Sequence, residues 1–353
     1  MAWIPGGTFQ MGSNLPDYRE EWPPHEVTVD GFWMDEHTVT VAEFRRFVKD
    51  SDYVTVAERP LDPAYYPGVD PAALVPGSMV FRKTTGPVDL RAMSNWWRYV
   101  PGADWMHPAG PGSNTNGLDR HPVVHVAWED VEAYAAWAGK ELPTEAEWEF
   151  AARGGLEGAI YTWGEEFAPG GRMMANTWQG EFPWQNLLQD KHEGTAPVGS
   201  FRANGYGLFD MAGNVWEWTS DFYTQDHEGE FHSCCSPENP RVLSPDSSYD
   251  TTNPGGAHIP RRVIKGGSPP LCAELLPALP PRRPPAADGR NRDGAHRLPL
   301  HHPPEMTLSR PLMLSGVEAA IRANWHRRNG PTRNYGLLRT RHAAGATLLS
   351  ACF

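Results

Sequence analysis

Three segments after Lys140, residues 142–150, 204–218 and 263–268, concentrate side chains with chemical uses. In the middle one, Gly205, Gly207 and Gly213 can turn the chain sharply and leave carbonyls free, while Asp210 and Glu217 add hard oxygen donors. Carbonyl and carboxylate oxygens in turns are what Ca2+ takes. The same composition also builds a Trp-rich turn, with Trp216 and Trp218, whose carboxylates only accept backbone hydrogen bonds. The residues alone leave both readings open. The third segment ends in Gly266-Gly267-Ser268, four residues before Cys272. A cysteine serves as nucleophile, soft ligand or redox group when its thiolate is favoured. No His-bearing motif recommends Cys272 as the nucleophile of a hydrolase. Cys234 and Cys235 are adjacent, a redox pair or two ordinary thiols, and Cys352 sits near the last residue. His121 and His125 lie four apart in an extended, β-branched stretch, where structural histidines are more natural than a metal pair.

These groups need elements to hold them, and the first 268 residues supply a few. Alternation over residues 25–34 predicts a strand. Thr40 and Glu43 have capping-box spacing and start a helix with Phe44, Phe47 and Val48 on one face. A second helix is expected from Glu129 to Ala138, apolar at Val131, Tyr134, Ala135 and Trp137 and stopped by Gly139. Thr144 and Glu147 open a third, with Trp148 and Phe150 inward and Gly154-Gly155 as its end. Residues 55–120, rich in Pro, Gly and aromatics, show little periodicity and read as a long loop, which is usually functional or mobile in a compact domain. No repeat of 20 to 50 residues is apparent, which disfavours a propeller or solenoid.

The chain has 353 residues, 21% charged and 40% hydrophobic, enough for one large or two ordinary domains. No apolar run approaches the roughly 18 residues of a membrane helix. The opening residues have neither a basic nor an apolar signal region, so the default compartment is the cytoplasm. A net charge of -12 disfavours a nucleic-acid partner, and four cysteines make no disulfide framework. The averages hide a break after Ser268. The last 85 residues hold 12 prolines, 12 arginines, no lysine and five acids, a net of +7, against -19 for the rest, which keeps 14 of the 15 tryptophans. Such a tail, with no sustained period, is expected to carry no packed fold.

Over residues 3–272 the chain resembles the formylglycine-generating enzymes, the sulfatase-modifying factor family. The resemblance is carried by the three segments above and by Ile4-Pro5-Gly6-Gly7-Thr8-Phe9-Gln10-Met11-Gly12, His121-Pro122-Val123-Val124-His125-Val126 and Asn176-Thr177-Trp178-Gln179-Gly180-Glu181-Phe182-Pro183. It implies an α+β fold of the C-type-lectin-like sort with little regular secondary structure. It implies copper-dependent oxidation by O2 of a cysteine in a Cys-x-Pro-x-Arg segment of an unfolded sulfatase polypeptide to formylglycine. A monomer is expected, and charge and hydropathy give no reason to expect a nucleic-acid or membrane partner. One structural calcium site maps onto Asn176, the carbonyl of Thr177, Asp190 and the carbonyl of His192. A second maps onto Asp210, Gly213, Val215 and Glu217. Trp216 is placed beside the active-site cleft, although a core position is the plainer reading of a tryptophan, and Ser268 and Cys272 fall on catalytic positions.

The family pattern requires a second cysteine about five residues after the first, because two soft thiolates hold Cu(I). Here Pro277 stands at that position, after Leu275-Leu276. Read one base later in each codon, residues 274–302 can encode Ser-Tyr-Cys and a further stretch similar to the family's last strand. The expected organisation is a formylglycine-generating domain over residues 1–274 without its final segment, followed by an aberrant, frameshifted and unfolded tail over 275–353. The chain as written is expected to be impaired. Two alternatives compete: a non-catalytic, calcium-stabilised binding module of the same fold, and an iron-dependent oxidase of the sulfoxide-synthase type. The second normally needs a His-rich iron site from an added helical region, and the 14 histidines do not form one.

Overall fold

Capping chemistry sets all three helices of the computed structural model, which describes residues 1–14, 21–224, 236–250, 259–267, 319–320, 322 and 324–325. Strands β1 (Ala2–Ile4), β2 (Gly7–Met11), β3 (His25–Val29) and β4 (Phe32–Met34) precede helix α1 (Val41–Ser51). Thr40 and Glu43 form the reciprocal box: the Glu43 amide donates to Thr40 Oγ1 at 3.3 Å and the Thr40 amide to Glu43 Oε2 at 2.8 Å. Two donors that a helix start would otherwise orphan are thereby satisfied. Phe44 and Phe47 are buried, and Phe44 meets Trp105 edge to face at 5.4 Å and lies near-parallel to Tyr134 of the second helix.

Strands β5 (Gly77–Phe81) and β6 (Trp97–Pro101) form a hairpin inside the stretch expected to be a loop. Four of the five β5 residues are buried, so the alternation that marks a half-buried strand is absent. Helix α2 (Trp128–Ala138) ends at left-handed Gly139, as expected, but Trp137 is 38% exposed rather than inward. It lies against Phe47 and Tyr134 at the rim of their cluster. Helix α3 (Glu145–Arg153) starts at the Thr144–Glu147 box and buries Trp148 and Phe150. Its stop is tight: a Cβ on Gly154, at φ +59°, would lie 2.7 Å from the Gly205 amide, which only glycine avoids.

Strands β7 (Trp216–Phe222) and β8 (Arg262–Lys265) pair antiparallel. The single strand expected over residues 25–34 is broken at Asp30-Gly31, so that β3 pairs with β2 and β4 with β1. Helix α3 packs on β2, β3, β7 and β8, and its Trp148 and Phe150 share a core with Ile4, Val29 and Phe32. The tail lies largely outside the described residues. Its described part forms β9 (Ala319–Ala320), parallel to β7, and β10 (Asn324–Trp325), antiparallel to β4. Arg322, between them, is fully buried.

Candidate functional site

Asn204 shows how the long oxygen-rich turn is held. Its Nδ2 donates to the Ala151 and Ala152 carbonyls at 2.7 and 3.1 Å, capping α3, and its Oδ1 accepts from the Tyr206 and Leu208 amides. The turn then passes through Asp210, Gly213 and Asn214, all at positive φ. Gly213 is there for closeness: an added Cβ would lie 2.3 Å from the Asn176 carbonyl. That contact joins the two expected cation sets. The Asn214 amide donates to the Asn176 carbonyl at 2.9 Å, and Asn214 Oδ1 accepts from Asn176 Nδ2 and the Ala196 amide at 3.0 and 2.7 Å.

The first set has an open acceptor. Asn176 is 1% exposed, and its Nδ2 donates to the Gly194 carbonyl as well as to Asn214, yet among the described residues nothing donates to its Oδ1. A buried acceptor left unmatched is costly. The neighbouring Asp190 carboxylate accepts from the Thr177 amide at 3.0 Å, the His192 amide at 3.0 Å and Gln179 Nε2 at 2.7 Å. The Gln179 amino group also faces the Thr177 carbonyl and Oγ1, so three oxygens converge on two hydrogens. An amide oxygen, a carboxylate and backbone carbonyls with a surplus of acceptors suit a hard cation. The set fits calcium: Asn176, the Thr177 carbonyl, Asp190 and the His192 carbonyl would hold it. Gln179 is a neighbour that reading the sequence missed, although it lies in the same run as Asn176.

The second set is differently furnished. Glu217 is fully buried, and its Oε2 accepts from Trp148 Nε1 at 2.7 Å and from Arg322 Nε at 2.8 Å, while Oε1 accepts from Arg322 Nη2 at 3.3 Å. Arg322 also donates to the Asp35 and Phe209 carbonyls at 2.7 and 2.6 Å. Asp210 accepts from the Gly199 amide at 2.8 Å; burial pushes its pKa up, partly offset by that bond and by the charge of Arg322. The Gly213 carbonyl is engaged by the Val215 amide at 2.8 Å. With these partners the Asp210, Gly213, Val215 and Glu217 set does not fit a divalent ion. Among the described residues no three His, Cys, Asp or Glu side chains converge as a metal cluster.

Ser268 and Cys272 lie outside the described residues, but the strand leading to them is anchored. Lys265, at the end of β8, puts Nζ 3.1 Å from both Glu145 Oε1 and Glu149 Oε2 of α3. Burial opposes charge on Glu149, yet Lys265 and Arg153 overcome it and hold its pKa down at about 2. Gly213 donates its amide to the Gly266 carbonyl at 2.9 Å, so the oxygen-rich turn and the end of β8 are bonded together. Trp216 is half-buried, packs, as Ile264 does, against two aromatic clusters, and has a buried Nε1 with no acceptor among the described residues. It therefore sits beside the strand that leads to Ser268, at a seam rather than in the middle of a core.

A mostly irregular α+β domain, with linked oxygen-rich turns beside a strand that runs into Gly-Gly-Ser, defines the class. Residues 1–278 match the sulfatase-modifying factor enzyme 1-like domain, and the chain belongs to that FGE-sulfatase family. It is 53% identical over 258 residues to a formylglycine-generating enzyme of Mycobacterium tuberculosis, covering 72% of this chain and 85% of that one. The formylglycine-generating enzyme of Mus musculus is 42% identical over 261 residues, 73% of this chain and 66% of its own length. A mouse relative named inactive C-alpha-formylglycine-generating enzyme 2 is 41% identical over 281 residues, 77% of this chain and 82% of that protein.

Proposed function

We propose that the domain is a formylglycine-generating oxidoreductase that takes an unfolded sulfatase segment of the Cys-x-Pro-x-Arg type and oxidises its cysteine to formylglycine with O2 and copper. The extent of identity with the Mycobacterium tuberculosis enzyme is the observation that supports this most. The reading includes a calcium-stabilised monomer in the cytoplasm. No helix among the described residues is long and apolar enough to cross a membrane.

The residues present divide the work unevenly. Lys265, clamped by Glu145 and Glu149, ties the end of β8, three residues before Ser268 in the sequence, to α3. Trp216 offers an apolar face and an unmatched indole N–H beside it. Copper would supply oxygen activation, but two thiolates are needed to hold Cu(I) and this chain has Pro277 in place of the second. The thiol set does not fit, so no step is drawn through the metal. The chain as written should therefore turn over only in trace.

The test supplies Cu(I), O2 and a Cys-x-Pro-x-Arg peptide to two proteins, the chain as written and one whose codons after Glu274 are read in the shifted frame. Aldehyde is measured by mass and hydrazide capture. The frame-restored protein should form aldehyde and the chain as written almost none. A frame-restored protein without turnover sinks the oxidoreductase reading, and equal turnover by both sinks the role given to the second cysteine. A non-catalytic binding module is favoured for the chain as written by Pro277 and by the similarity to the inactive mouse relative. Peptide binding without aldehyde by both proteins would establish it.

A further inference from the structure

The turn carrying Asp210 and Glu217 encloses two carboxylates in poor contact with solvent, 9% and 0% exposed. A carboxylate taken out of water needs a positive partner and a full set of donors. Calcium would be one answer. The structure contains another: the Arg322 side chain reaches Glu217 from between β9 and β10, with Nε and Nη2 both on the carboxylate, and spends its remaining reach on the Asp35 and Phe209 carbonyls. Trp148 adds a third hydrogen bond to the same carboxylate. A guanidinium that forks onto a carboxylate is the stronger sort of pair, and here it engages both oxygens of Glu217.

We infer that Arg322 supplies the positive charge of the Asp210–Glu217 turn, so that this chain holds calcium at the Asn176–Asp190 set alone. The two sites thus solve one problem with different cations. At the Asn176 set a buried amide oxygen has no donor, whereas at Glu217 both oxygens are matched. The same contact gives the basic tail a structural task. Arg322 bonds to β7 through Glu217 and to the segment following β4 through the Asp35 carbonyl, while the strands on either side of it pair with β7 and β4.

The inference rests on the calcium reading for the first set but not for the second, and its test separates the two. The full chain is stripped with EDTA, dialysed against calcium and analysed for bound metal. One calcium per chain is expected, falling to none in Asp190→Asn, and calcium should leave the melting temperature of Asp190→Asn unchanged. Two ions in the unmodified chain, or one in Asp190→Asn that vanishes when Glu217→Gln is added, would overturn the proposal. No ion in the unmodified chain would instead remove the first-site reading, and the pair would be judged by its thermal cycle. In that cycle Glu217→Gln and Arg322→Gln each lower the melting temperature, and the double variant should melt no lower than the worse single one. Additive losses would show that Arg322 does not act through Glu217.

Discussion

Two oxygen-rich turns lie side by side, bonded through Asn176 and Asn214, and they differ in how their buried oxygens are matched. Around Asn176 and Asp190 the donors are backbone carbonyls, one amide and one carboxylate, with an acceptor to spare. Around Glu217 a carboxylate is saturated by an indole and a guanidinium. On the proposed calcium reading the first turn takes its cation from solution. The second carries its cation on the chain, so its integrity depends on a residue 105 positions away. Similar residue types do not make similar sites; the count of unmatched acceptors separates them.

The sharpest way to break the contrast is Arg322→Gln. Removing one partner of a fully buried pair costs roughly 3–5 kcal/mol, and thermal unfolding should show the largest loss of any single variant considered. Next comes calcium removal. An ion at a hundred times its Kd contributes about 2.7 kcal/mol, so EGTA should lower the melting temperature by several degrees, and Asn176→Ala should abolish that response while leaving the Arg322 pair intact. A third prediction uses acid. Glu149 has its pKa held at about 2, below the ordinary 4.5, so it stabilises the fold above pH 4.5 and this contribution is lost as the pH falls towards 2. Stability measured across that window should fall with acid in the parent and be flatter in Glu149→Gln, which starts lower because Lys265 loses a partner. Smallest is Thr144→Ala, about 1 kcal/mol for a lost helix cap, read by denaturant midpoint. Since Thr144 caps α3 through Glu147, which neither calcium set contains, calcium stoichiometry should not change.

Much of the architecture was legible because it is local. Thr40 with Glu43, and Thr144 with Glu147, are three residues apart, and a capping box needs nothing beyond that spacing. The hairpin of β5 and β6 was not legible, since Ser78, Met79 and Val80 are all buried and Trp97 pairs with Phe81 from sixteen positions away. The Asn176 set came only from the resemblance to a family: backbone carbonyls, such as those proposed at Thr177 and His192, leave no mark on side-chain identity. Arg322 was invisible for a different reason. It is one of 12 arginines in a stretch without period, and nothing nearby in sequence announces a partner in Glu217.

Arg322 and its flanking strands behave as a built-in ligand for the rest of the domain. The domain is thus stabilised by a late part of its own sequence much as a receptor is by a bound partner: one guanidinium joins β7, through Glu217, to the segment after β4, through the Asp35 carbonyl, so conditions that weaken that contact should loosen β4 and β7 together.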